Sequence, residues 1–102
     1  MNINHVLCVL EQEWDFEDGF LGRLRCGEFE VAGLHRLLAV LETISLNDSE
    51  DINRRLVSLL WYMPLFMEWQ KERVQEEGGD RLALENAINQ VQTQVERLLG
   101  VP

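Results

Sequence analysis

A chain of 102 residues with 46% apolar and 26% charged side chains is too apolar for disorder and long enough for one core, so a single domain over residues 1–102 is expected. The net charge of −9 argues against nucleic acid or an anionic membrane surface as partner, because both are bound by lysine and arginine releasing counterions. Two cysteines make no disulfide framework, and Met1–Asn4 carries no basic lead-in to a secretory signal, which points to a reducing cytoplasm.

In chain order, Ile3, Val6, Leu7, Leu10 and Trp14 recur at helical spacing and predict a helix over 3–14 with Asn2 as N-cap. His5 and Cys8 project away from that stripe. Residues 15–27 hold Gly19, Gly22 and Gly27; Phe16, Phe20, Leu21 and Leu24 can form one short amphipathic turn or two, so a broken helix stopped by Gly27 is expected. Over 28–46, Val31, Leu34, Leu37, Leu38, Leu41 and Ile44 share one face, with His35, Arg36, Glu42 and Thr43 on or near the other. Asn47, Asp48 and Ser49 offer the next N-cap.

The densest apolar stretch is INRRLVSLLWYMPLFMEW, residues 52–69, inside a predicted central helix over 50–76. Glu50–Arg54 and Asp51–Arg55 are i,i+4 pairs of favourable order. Pro64 lacks an amide donor and should kink or split the helix near Tyr62–Met63. The run is too short for a membrane span. Gly78–Gly79 ends the element, Asp80 caps the last helix over 81–99, and Leu84, Ile88, Val91, Val95 and Leu98 form a two-heptad seam that should pack on the bundle. With no period-two run of β-branched residues, the expected fold is all-α: a compact bundle of four to five helices, kinked at Pro64.

The segment Glu11–Asp18 places five carboxylates within eight residues, interleaved with Trp14 and Phe16. It reads either as a solvated helix end whose aromatics pack inward or as an acidic surface for a basic partner. Such close like charges repel, and that cost favours a use for them. His5, Cys8, Cys26 and His35 are zinc-binding residue types, but the nine-residue gap between Cys26 and His35 does not fit a structural site, so no metal and no cofactor is expected. No nucleophile elbow, phosphate loop or dinucleotide fingerprint occurs, which points away from an enzyme. Trp61, Tyr62, Met63, Phe66, Met67 and Trp69 exceed what one helix face can bury, leaving part of this element available as an interface.

The stretch Trp14 to Ile44 resembles small immunity proteins of bacterial contact-dependent growth-inhibition and related polymorphic toxin systems. The resembling features are the aromatic-acidic lead-in, Gly19-Phe20-Leu21, Leu24-Arg25 followed by Gly27 and Phe29, and then a leucine-rich helix. The resemblance covers about a third of the chain and implies a cytoplasmic protein that binds and blocks a cognate, basic toxin domain. Glu11, Glu13, Trp14, Asp15, Glu17 and Asp18 are the expected partner-binding residues, followed by Glu28 and Glu30 after the same glycine-rich turn. The alternative is a helical adaptor or homodimer that uses residues 61–69 or the 84–98 seam.

Overall fold

The computed structural model describes residues 2–46 and 51–102. Among them are six helices and no strand: α1 (Ile3–Glu13), α2 (Phe20–Leu24), α3 (Val31–Thr43), α4 (Arg54–Trp69), α5 (Lys71–Glu76) and α6 (Arg81–Leu99). The all-α bundle expected from the apolar periodicity is present, with six helices in place of four to five.

Local chemistry sets the boundaries. Asn2 Oδ1 accepts the amides of Asn4 (3.1 Å) and His5 (3.3 Å), and Asp80 Oδ1 accepts that of Ala83 (3.1 Å), so both expected caps hold their helices. Gly27, at φ +87°, closes the α2 turn: its amide bonds Leu24 O and the next amide, of Glu28, reaches back to Arg23 O. Gly78, also at φ +87°, does the same after α5, with Gly79 N donating to Val74 O. Residues 28–30 therefore stay outside α3, and Glu30 is extended at φ −114°.

The central element departs from expectation. Asn53 caps α4 by accepting the Leu56 amide at 3.0 Å. The candidate caps Asn47, Asp48 and Ser49 and the Glu50–Arg54 pair lie outside the described residues. Helix α4 runs through Pro64 without a split, and the division falls at Gln70, which ends α4 and begins α5. Proline's φ is already helical, so the ring costs a donor and crowds the preceding turn. Leu60, Met63 and Met67, all fully buried, hold the chain helical across that defect.

Helix α6 lies along α4 more extensively than any other helix pair meets. Its seam, Leu84, Ile88, Val91, Val95 and Leu98, is buried throughout, so the two heptads pack on the bundle. Helices α1 and α3 complete the core with Leu10, Leu37 and Leu41. Arg97 of α6 closes the far end of α3. Its guanidinium donates to Leu41 O (2.9 Å), which also accepts the Ile44 amide (3.2 Å), and to Ile44 O (3.3 Å) just past the helix end. Val31, expected on the buried face, is the first residue of α3 and stands exposed.

Candidate functional site

The end of the molecule where α1 gives way to α2 gathers most of the residues expected to bind a partner. Helix α1 stops at Trp14, and residues 15–18 form one tight turn. Asp15 Oδ2 accepts the amides of Glu17 (3.1 Å) and Asp18 (2.9 Å), and Asp15 O accepts that of Gly19 (3.0 Å). Asp15 thus caps the turn, while Gly19 stands at the N-cap of α2 with no side-chain cap. The turn lies directly on α2. A Cβ on Gly19 would approach Glu13 O to 2.4 Å, and one on Gly22 would approach Asp15 O to 1.7 Å. Glycine at these two places lets backbone rest on backbone.

That turn sends Trp14 and Phe16 in opposite directions. The Trp14 ring packs edge-on against Phe66 at 4.9 Å and stacks on Tyr62 at 6.0 Å, both from α4. Its Nε1 is buried with no hydrogen-bond partner. Phe16 projects outward and is 63% exposed. The expected inward packing of Phe16 with Phe20, Leu21 and Leu24 therefore fails for Phe16 alone. Trp14, in turn, is half-buried and braces α1 against α4. Its phase already carries that signal: Ile3, Leu7, Leu10 and Trp14 share one stripe, and Phe16 lies two residues beyond it.

Glu13 is also internal, only 3% exposed. Arg36 of α3 grips its carboxylate with both arms of the guanidinium, at 2.9 Å to Oε2 and 2.7 Å to Oε1, and Oε1 also accepts the Phe20 amide at 3.2 Å. The hydrogen bond to Glu13 holds the Arg36 guanidinium above its already high ordinary pKa. One carboxylate therefore ties α1, α2 and α3 together and is not available to a partner. Val6, Leu10 and Glu13 step by four and three along α1, so Glu13 occupies a core phase that its charge disguises.

The remaining acids divide into two groups. Arg55 of α4 pairs with Glu11 at 3.0 Å, and Arg23 pairs with Glu30 at 2.8 Å. Arg23 also donates to Glu17 O at 2.6 Å, which stitches the 15–18 turn to the segment before α3. Asp15, Glu17, Asp18 and Glu28 are exposed and, among the described residues, form no ion pair. Glu11, Glu13, Trp14, Asp15, Asp18 and Arg36 share a cleft of about 670 Å³ between α1, the turn and α3. Phe16 stands exposed in the turn beside Glu17 and Asp18, and Glu28 is exposed after α2.

The zinc-type residues do not assemble: His5, Cys8 and His35 are exposed, Cys26 is half-buried, and no group of three or more His, Cys, Asp or Glu side chains among the described residues could hold a metal ion. No described helix is long and apolar enough to cross a membrane. Compared with known proteins, the chain matches no family model, no curated protein and no solved structure, so the reading of this end of the molecule rests on its own residues.

Proposed function

We propose that the chain is a binding protein, not an enzyme, that docks a basic protein partner on the surface formed by Phe16, Glu17, Asp18 and Glu28. In keeping with the resemblance in residues 14–44, the partner is a toxin domain that the chain neutralises in the cytoplasm. The observation that carries this reading is the 15–18 turn. Its backbone is fixed by Asp15 and by the two close-approach glycines, and it holds a 63% exposed phenylalanine beside carboxylates that form no ion pair among the described residues. An aromatic anchor within a charged rim, already held in its bound shape, is what a protein interface needs to bind without a large ordering cost.

The charges would steer a lysine- and arginine-rich surface into contact, and Phe16 would then enter an apolar depression on it. Among the described residues the side chains of Glu17, Asp18 and Glu28 make no hydrogen bond or ion pair, so they can be reversed without breaking one. The test begins with capture of the partner from source-organism lysate at low salt and its release at high salt. Glu17→Lys, Asp18→Lys and Glu28→Lys together should then slow association, most strongly at low salt. An unchanged association rate and unchanged neutralisation would reject this surface.

A further inference from the structure

Helix α4 carries a second exposed surface of opposite character. Trp61, Leu65 and Trp69 are 52%, 38% and 59% exposed and follow one another at four-residue steps. Residues at this spacing form a single ridge along a helix, here about 12 Å long. Contiguous exposed apolar side chains of this size mark an interaction surface.

Charge identifies what the ridge meets. The shallow groove beside it, between α4 and α6, is lined by Pro64, Ile88, Asn89 and Gln92, and Glu68 is the only charged residue there. Glu68 is paired with Lys71, and Glu85 nearby is paired with Lys71 and Arg81. In a protein of net charge −9, this face is compensated. A second copy would meet unpaired carboxylates of its own sign at the acidic turn. In this groove the one lining carboxylate among the described residues, Glu68, is already paired.

The order of side chains fits the symmetry of such a contact. The ridge reads the same in both directions: tryptophan, three residues, leucine, three residues, tryptophan. A twofold axis through Leu65 sets α4 antiparallel to its copy, Leu65 on the partner's Leu65 and Trp61 on the partner's Trp69. That is an isologous interface, in which each contact occurs twice. We infer that the Trp61–Leu65–Trp69 ridge of α4 is the interface of an antiparallel homodimer of this chain, separate from the acidic turn and left in place when that turn is occupied.

The test is the mass in solution across a protein concentration series, at low and high salt. The wild-type chain passes from one copy to two as concentration rises. The dimer tightens as salt screens the repulsion between two acidic copies, opposite to the response expected of a basic partner at the turn. Leu65→Glu puts two carboxylates on the axis and should raise the dissociation constant by about 30-fold or more. Trp61→Glu alone should weaken the dimer, and Trp61→Glu with Trp69→Lys in one chain should restore it, because each new carboxylate then faces the partner's new ammonium. A wild-type chain monomeric at every concentration overturns the inference, even if another protein is found to cover the ridge. So does a dimer indifferent to Leu65→Glu, which would lie on another surface. Failure of the paired variant to recover self-association overturns the antiparallel register. Circular dichroism of each variant, unchanged from wild type, separates these outcomes from unfolding.

Discussion

The acidic turn and the α4 ridge flank the same strut, Trp14 packed on Tyr62 and Phe66, and are made of the same materials, aromatic rings and carboxylates. They finish as opposites. At the turn the sequence concentrates charge, and the fold then removes part of it: Arg36 arrives from α3 to Glu13 and Arg55 from α4 to Glu11. Among the described residues Asp15, Glu17, Asp18 and Glu28 keep carboxylates that form no ion pair, although Arg23 and Arg36 reach the backbone carbonyls of Glu17 and Asp18. Along the ridge the acids are fully matched by Lys71 and Arg81, and bare indole and leucine remain. At the turn the local density of acids is a poor guide to surface charge, because distant arginines remove part of it; beside the ridge local cations also serve, Lys71 three residues from Glu68 and Arg81 four from Glu85.

The largest blow to this contrast would fall on both surfaces together. Leu60 is fully buried on α4, and Leu60→Ala should cost about 2–5 kcal/mol, read by urea unfolding. A loss below about 1 kcal/mol would mean that α4 is not the core element. Gly22→Ala strikes one side only. Its Cβ cannot coexist with Asp15 O, so the turn must lift, at about 1–3 kcal/mol. Amide exchange should quicken at Glu17 and Asp18, whose amides bond Asp15, while α4 stays protected; equal quickening in both would show that the two regions are one cooperative unit. Arg36→Met leaves the buried Glu13 carboxylate without its cation. Because the arginine is itself half-exposed, the cost should be smaller than for a fully buried pair, about 1–2 kcal/mol by thermal unfolding, and partly recovered by adding Glu13→Gln. The smallest effects sharpen the comparison most. Glu17→Lys and Leu65→Glu should each move stability by no more than about 0.5 kcal/mol, while each disables a different association.

Apolar periodicity made most of the fold legible before any coordinates. The stripes of α1 and α6, the caps Asn2 and Asp80, and the stop at Gly27 follow from spacing and from the short list of residues that can satisfy a helix end. Two kinds of feature were not legible. Partnerships across the fold, such as Arg36 with Glu13 or Arg97 with the last carbonyls of α3, leave no local mark, because their members are 23 and 53 to 56 residues apart. The break between α4 and α5 is also not legible in the sequence. Pro64 is the stronger local breaker, yet packing on Leu60, Met63 and Met67 overrides it, and the chain turns at the unremarkable Gln70. Within the site, residue type misleads at Glu13, whose helical phase puts the acid inside, while Phe16 lies beyond α1 in a turn that leaves the ring outside.

The unbonded indole of Trp14 gives the molecule its own optical label. An indole packed between rings with its N–H unpaired emits at shorter wavelength than one in water, and the other two tryptophans, Trp61 and Trp69, both stand in solvent on the ridge. The emission spectrum of the unlabelled protein is therefore a sum of a blue component from beside the acidic turn and a red component from α4. Events at either surface would move a different edge of one spectrum, so both could be followed by fluorescence in a single cuvette without attaching a dye.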